Sequence, residues 1–298
     1  MARSEPRSDN LTGILLMLAE MALFAVEDLF LKLAATGLPV GQIVLISGAL
    51  GAPVFWVMAR RQGRGIWVKE ALHPAVFARN AGEMIAAASY VAALAAVPLG
   101  TVAAVLQALP LAVTMGAALV FAERVGWRRW TAILAGFAGV LLVIRPGSDG
   151  FRVETLLVLI SVAGIVLRDL AARAIPASVT TAQVSAWGLL SVTLLGIGMM
   201  LASGQAKAVS GPETIILLGA VVFGTAGYWA VTAATRTGEV AVVAPFRYSR
   251  LVFSMSLGVA FLAERPDGPT LAGAGLIVAS GLYAFARERR LKRASLVA

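Results

Sequence analysis

The chain alternates between long apolar runs and short polar breaks. A bilayer-crossing helix needs about 20 mostly apolar residues. Ten runs of that kind fall at about 12–35, 39–59, 76–97, 99–121, 127–144, 153–174, 179–202, 213–235, 239–262 and 268–286. Turn and charge signals separate them, such as Thr36-Gly37-Leu38-Pro39, Arg145-Pro146-Gly147 and Arg265-Pro266-Asp267-Gly268. None of the breaks is long enough for a soluble domain. The first run follows Arg3 and Arg7 and so imitates a signal peptide. It also carries Glu20, Glu27 and Asp28, which a signal core should not, and it reads as a retained helix. The pattern predicts an all-α membrane protein of ten transmembrane helices.

Composition supports that reading. Hydrophobic residues make up 59% of the 298 and charged residues only 14%, against roughly 25% charged in a soluble domain. An ordinary soluble enzyme, a disordered chain and a collagen-like fibre are excluded. There is no cysteine and only one histidine, His73 in a basic loop. Thiol chemistry, disulfides and Cys/His metal sites are therefore not expected. No phosphate-binding loop, zinc-protease or serine-hydrolase motif occurs, so neither a cofactor nor ATP use is expected.

The net charge of +9 would suggest nucleic acid in a soluble protein. Here its distribution fits a membrane better. With the N-terminus cytoplasmic, seventeen Lys and Arg fall inside, among them Arg60, Arg61, Arg64, Lys69, Arg79, Arg124, Arg128, Arg129, Arg236 and the cluster from Arg287 to Arg293. Five fall outside: Lys32, Arg145, Arg152, Lys207 and Arg265. That bias predicts both termini in the cytoplasm and leaves no nucleic-acid surface.

The chain is also a duplication. Asp28 and Asp169 stand 141 residues apart, as do Lys32 and Arg173, Gln42 and Gln183, and Glu123 and Glu264. Between them the offset slips to 138, for Tyr90 and Tyr228, Gly100 and Gly238, and Val102 and Val240. Two units, 1–149 and 150–298, carry five spans each. Five is odd, so the second unit enters the membrane from the opposite side. Inverted repeats of this kind can exchange conformations, which gives an inward-open and an outward-open state around a midplane site.

Certain residues carry a family resemblance. Pro110 is followed by Glu123-Arg124 at the end of span 4, and Leu262-Ala263-Glu264-Arg265 ends span 9. Gly-rich last helices follow, with Ala135-Gly136-Phe137-Ala138-Gly139 and Gly273-Ala274-Gly275. The chain resembles the EamA-type drug/metabolite transporters over nearly its whole length. It departs at Leu251, where the pattern would place a second proline; Pro245 stands six residues earlier. The segment Ala244–Arg250 resembles one in a subset of the family's exporters, the YddG-type amino-acid exporters being the branch it suggests. The resemblance implies a secondary transporter of a bacterial inner membrane.

Ionisable residues at the bilayer centre cost roughly 2.5–3.5 kcal/mol each on insertion scales, so each is a functional candidate. Glu83 shares a stripe with Asn80, Ala87 and Tyr90. It could bind a substrate ammonium, carry a proton, or simply pair with Arg79. Arg247 and Arg250, three residues apart, offer guanidinium forks suited to a carboxylate. One would take the substrate and the other an acid. Tyr90, Tyr228 and Trp187 either line a side-chain pocket or pack the core. Gln107 and Pro110 in span 4, with Pro245 in span 9, predict kinks that act as gates or stay static.

The pairs Asp28/Lys32 and Asp169/Arg173 have salt-bridge spacing and read as locks at the mouth of each half. Arg168 should pair with a nearby acid. Glu20 and Glu27 are candidate proton sites, and Glu123 and Glu264 read as interfacial anchors. Small-residue stretches in spans 5 and 10 suit close packing or a dimer contact, leaving monomer or homodimer open. The expected function is export of small metabolites, chiefly amino acids including aromatic ones, by alternating access, with proton coupling if Glu83 titrates. Cationic drugs or S-adenosylmethionine are the alternative substrates; a channel, a receptor and an intramembrane enzyme are the alternative classes.

Overall fold

The computed structural model describes residues 6–123, 125–148, 151–237 and 240–297. Arg3, Arg124 and Gly238 lie outside them, as do the side chains of Arg7, Arg236, Val240 and the basic cluster from Arg289 on. The described residues form ten helices: α1 (Pro6–Ala34), α2 (Val40–Arg61), α3 (Pro74–Ala96), α4 (Leu99–Leu106 and Leu109–Val120), α5 (Trp127–Ile144), α6 (Leu156–Ala172), α7 (Thr181–Ser203), α8 (Gly211–Thr237), α9 (Val240–Val243, a 3₁₀ turn Ala244–Tyr248, then Ser249–Leu262) and α10 (Gly268–Val297). Seven are long and apolar enough to cross a membrane. The other three, α1, α3 and α9, carry most of the intramembrane charges, with Arg168 and Asp169 on α6.

Local chemistry sets the helix ends. Pro39 precedes α2 and Pro98 precedes α4. Pro74 opens α3, where a missing N–H costs nothing. His73 caps the same helix, its Nδ1 accepting from the Ala75 amide at 3.2 Å. That accounts for the lone histidine without a metal. Thr180 and Gln183 form a reciprocal capping box at the start of α7.

Packing displays the inversion. α2 lies against α7, α4 against α9 and α5 against α10, and these pairs are counterparts in the two repeats. Each pair runs antiparallel. Gly48 abuts Thr193 while Gly41 abuts Met199; Gly100 abuts Met255 while Gln107 meets Tyr248; Gly136 abuts Ser280 while Val143 abuts Gly273. Counterparts that pack antiparallel must enter the membrane from opposite sides. The remaining large contacts, α1 with α8 and α3 with α6, exchange under the same relation.

Pro110 and Pro245 do not interrupt continuous helices. They begin new segments after true breaks, Pro110 in α4 and Pro245 in the 3₁₀ turn of α9. The two breaks touch: Gln107 Nε2 donates to the Tyr248 carbonyl at 3.0 Å and to that of Arg247 at 3.5 Å. Gln107 and Tyr248 are 141 residues apart, so the pseudo-two-fold axis passes beside them.

At one end of the bundle Arg145, the left-handed C-cap of α5 (φ 54°), donates to Asp267, which caps α10 through the Thr270 amide at 3.0 Å. Cation at a C-terminus and carboxylate at an N-terminus both suit the helix dipoles. The Arg145 hydrogen bond, helped by Thr270, holds the Asp267 carboxyl below the usual carboxylate range. A depressed pKa contributes stability above the unfolded value, near 3.9, which is lost as pH falls through the folded one. Asp267→Asn keeps a good N-cap and removes the charge. It should lower stability at pH 7 by about 0.5–1 kcal/mol, since half of the Asp267 side chain is exposed. The deficit should shrink on acidification below pH 4; a pH-independent deficit in thermal unfolding would count against the ion pair.

Candidate functional site

A cavity of about 520 Å³ opens between the repeats, lined by α1, α2, α3, α4, α6, α7, α8 and α9. That is an ordinary size for a small-molecule site. Three groups of charge divide it.

The first joins both repeats. Arg250 of α9 donates to both oxygens of Asp28 on α1, at 2.8 and 2.9 Å through Nη2 and at 3.3 Å through Nε. Tyr90 of α3 donates to Asp28 Oδ1 at 2.6 Å and accepts from Arg250 Nη2 at 3.0 Å. The Arg250 guanidinium also lies over the Phe24 ring at 5.4 Å. Asp28 is almost fully buried and its hydrogen-bonding capacity is well used.

The second group lies between α3 and α6. Their glycines let the backbones touch: a Cβ on Gly82 would stand 2.6 Å from the Arg168 nitrogen and 2.7 Å from the Gly164 carbonyl. That approach sets Arg168 beside Glu83 at 3.5 Å, with Arg79 on the other carboxylate oxygen at 2.9 Å. Arg168 Nε binds Asp169 at 2.9 Å. Arg79, counted above with the cytoplasmic loop, is thus a buried residue of the helix. Glu83 holds two arginines, which disfavours it as the receptor of a substrate ammonium.

The third group has spare capacity. Arg247 reaches Glu20 only at 3.9 Å, and half of its side chain (52%) is exposed. Glu20 is buried, and its Oε2 has no hydrogen-bond partner among the described residues. Glu27 lies in the cavity against Gly224 of α8, where a Cβ would stand 2.4 Å from its Oε1. No hydrogen bond or ion pair to Glu27 occurs among the described residues.

Several sequence expectations need correcting. Lys32 does not pair with Asp28. Its ammonium caps the end of α3 through the carbonyls of Leu94 (2.8 Å) and Val97 (2.6 Å), 3.8 Å from Glu264. Glu264 is no mere interfacial anchor: it accepts the Leu99 and Gly100 amides at the start of α4, at 2.7 and 3.2 Å. One cation at a helix C-terminus and one anion at an N-terminus thus clasp the α3–α4 turn. Arg173 pairs with Glu123 at 2.8 Å rather than with Asp169. Lys32–Glu264 and Arg173–Glu123 are repeat counterparts at opposite ends of the bundle.

Trp187 leaves the cavity. Its indole donates to the Ile66 carbonyl at 2.8 Å, and it packs in a cluster with Phe55 and Ile66, since a buried indole N–H needs a partner. Tyr228 does line the cavity, accepting from Ser185 at 3.2 Å and standing edge-on to Phe55. Gln107 and Pro110 line it too, whereas Pro245, Lys32 and Arg173 do not. Gln42 and Gln183 are repeat-related clamps, donating to the carbonyls of Lys207 (2.7 Å) and Gly65 (2.5 Å).

The clasp gives a direct prediction. Neutralising it with Glu264→Gln should loosen the Lys32 end by about 1.5 kcal/mol, the scale of a charge-assisted hydrogen bond, or roughly tenfold in opening. The chain has no cysteine, so a Leu31→Cys reporter in the cavity can be labelled by a maleimide from that face. Labelling about tenfold faster is expected; an unchanged rate would mean the clasp does not hold that end shut.

The sequence profile of the EamA-like transporter family matches twice, over residues 11–145 and 153–285. A riboflavin transporter of Rhizobium johnstonii is 30% identical over 205 residues, covering 69% of this chain and 68% of that protein. The pseudopaline exporter CntI of Pseudomonas aeruginosa (strain UCBPP-PA14) is 26% identical over 280 residues, covering 94% and 97%. An S-adenosylmethionine uptake transporter of Rickettsia felis is 23% identical over 205 residues, covering 68% of each. A solved crystal structure, 22% identical, has a TM-score of 0.60 and covers 96% of this chain and 99% of its own, a likeness of fold. With two profile matches across nearly the full chain, this protein is a membrane transporter of the EamA-like family and not an enzyme.

Proposed function

We propose that the chain carries a zwitterionic metabolite with an amino-acid head, amino acids including aromatic ones being the simplest case, as in the YddG-type branch. The carrying observation is Arg247. Its guanidinium is half exposed in the cavity and its one acid among the described residues stands at 3.9 Å, whereas Arg250 is committed to Asp28 and Tyr90. Arg247 takes the substrate carboxylate through its fork. Glu27, in the same cavity and two turns along α1 from Glu20, takes the ammonium, a part that Glu83 cannot play while two arginines hold it. Tyr228 and Phe24 flank the side chain.

The two ends of the bundle support alternating access. Lys32 and Glu264 are largely covered (16% and 12% exposed side chains), while their counterparts Arg173 and Glu123 are open to solvent (46% and 53%). Tyr90 donates to Asp28, and its repeat counterpart Tyr228 accepts from Ser185. One end is locked and its repeat-related partner is loose. With the termini in the cytoplasm, the locked end faces outward and this state is inward-open. The repeats then exchange these conformations to release substrate on the other side.

A second reading is S-adenosylmethionine. Glu20 and Glu27 supply more carboxylate than Arg247 alone balances, and an added sulfonium would use it. Counterflow into proteoliposomes preloaded with unlabelled solute separates the cases. Saturable entry of labelled phenylalanine or methionine supports the first reading and entry of labelled S-adenosylmethionine the second. Riboflavin entry without either would remove the zwitterion reading, since a neutral flavin has no need of Arg247.

A further inference from the structure

The binding scheme leaves Glu20 without a part, yet Glu20 is a buried carboxylate within a membrane helix. It sits mid-way along α1 and is 1% exposed. Met17 lies one turn before it on α1 and Met21 directly after it, and Val243 packs on them from α9, so apolar side chains border it. Its Oε2 accepts no hydrogen bond among the described residues. Arg247 is its ion-pair partner, at a distance too long for a hydrogen bond.

Among the described residues, the other charged and titratable groups on the neighbouring helices are occupied or lie elsewhere, Tyr248 of α9 lying against Gly281 of α10. On α9, Arg250 is bound to Asp28 and Tyr90. On α3, Tyr90 serves that same cluster and Glu83 is held by Arg79 and Arg168. On α8, Tyr228 accepts from Ser185, and α4 presents only the neutral Gln107. On α1 itself, Asp28 is paired with Arg250, and Glu27 lies against Gly224.

We propose that Glu20 is a proton-binding site whose proton travels in the same direction as the substrate's carboxylate. This rests on the assignment of Arg247 to that carboxylate. A buried carboxylate without hydrogen bonds is tolerated only while a counter-ion stands by. When the substrate carboxylate takes the Arg247 guanidinium, Glu20 loses its counter-ion. It then takes one proton from cavity water. The balance is one carboxylate in and one proton in, with Arg247 charged throughout and the net charge of the buried trio unchanged. On release at the other face, the carboxylate leaves, Arg247 returns to Glu20 and the proton departs with the substrate.

The sign follows from the geometry. Competition of a carboxylate with Glu20 for one arginine gives symport. An inward proton gradient therefore drives substrate inward, and export runs only on the substrate's own gradient. A carrier whose acid was displaced by a substrate cation would have the opposite sign.

The first arm of the test needs no substrate. Carbodiimides modify protonated, membrane-buried carboxyl groups, and peptide mass spectrometry locates the adduct. In the full-length protein in liposomes at pH 7, Arg247→Gln mimics capture of the guanidinium. Labelling of Glu20 should rise about tenfold, as for a shift of one pKa unit. Arg247→Lys keeps the cation and should stay near the parent value, which separates lost charge from disturbed packing. Equal labelling of Glu20 in all three proteins, or its absence in Arg247→Gln, overturns the proposal. The second arm uses L-phenylalanine as the probe, with a pH-sensitive dye trapped in the vesicles. Entry of phenylalanine should acidify the lumen, and Glu20→Gln should abolish the acidification. Phenylalanine entry without acidification, or with alkalinisation, overturns the proposal. Failure of phenylalanine to enter, with the labelling result as expected, removes the substrate assignment and leaves the proton site standing.

Discussion

Asp28→Asn should destabilise the protein by about 3–5 kcal/mol, the usual cost of removing one partner from a buried ion pair. That is a large share of a typical 5–15 kcal/mol. Asn is nearly isosteric and can still accept from Tyr90, so the loss reports charge rather than volume. Arg250 would be left buried, facing a neutral amide and one phenol. Arg250→Gln should cost a similar amount, by leaving Asp28 without its cation. The double change Asp28→Leu with Arg250→Met should recover most of the loss, because two apolar side chains of similar volume carry no desolvation penalty. Thermal unfolding in detergent, followed by tryptophan fluorescence, reads all three. A single variant within about 1 kcal/mol of the parent would show that water reaches and screens the cluster. The cluster ties α1 and α3 of the first repeat to α9 of the second, so its loss should also loosen the junction of the halves.

The spans, the duplication and its inversion were legible because each rests on a period: twenty apolar residues per crossing, 141 residues per repeat, five crossings per unit. The partners of the charges were not. Spacing of four within a helix suggested Asp28 with Lys32 and Asp169 with Arg173, but helix-local geometry cannot see contacts across the bundle. Lys32 finds Leu94, Val97 and Glu264, and Asp28 is thereby free for Arg250. A signal was available. Lys32 with Arg173, and Glu123 with Glu264, recur at one offset. A two-fold relation then leaves few ways to match two cations with two anions, and the structure adopts one that crosses the repeats. The prolines marked the breaks in α4 and α9, yet nothing in their spacing said that the breaks meet at Gln107 and Tyr248. Which acids are held and which are spare depends on helix rotation to within a fraction of a turn. Hence Glu83, the favoured acid from its stripe, is held by two arginines, whereas Glu27 has no ion-pair partner among the described residues. Trp187 was drawn to a loop carbonyl that no periodicity could place.

Arg247→Ala should lower carboxylate-dependent transport by about a hundredfold or more, yet leave the fold within about 1 kcal/mol of the parent. The two halves of that expectation have different causes. Removing a hydrogen-bonded cation from a substrate carboxylate in a confined site costs about 2–5 kcal/mol, and each 1.4 kcal/mol is tenfold in binding. Stability changes little because half of the Arg247 side chain is exposed and its one ion pair stands at 3.9 Å; pairs so loose contribute about 0–1 kcal/mol. Arg247→Lys should recover part of the rate, since an ammonium keeps the charge but loses the two-pronged fork. The contrast with Arg250, three residues away and on the same helix, makes the comparison sharp. Arg250 variants should lose stability first and transport as a consequence, whereas Arg247 variants should lose transport alone. Counterflow rates on protein whose unfolding temperature is measured in parallel distinguish the two. A stable Arg247→Ala protein with parental counterflow would take Arg247 out of the binding site and leave Glu27, with its cationic substrates, as the organising group of the cavity.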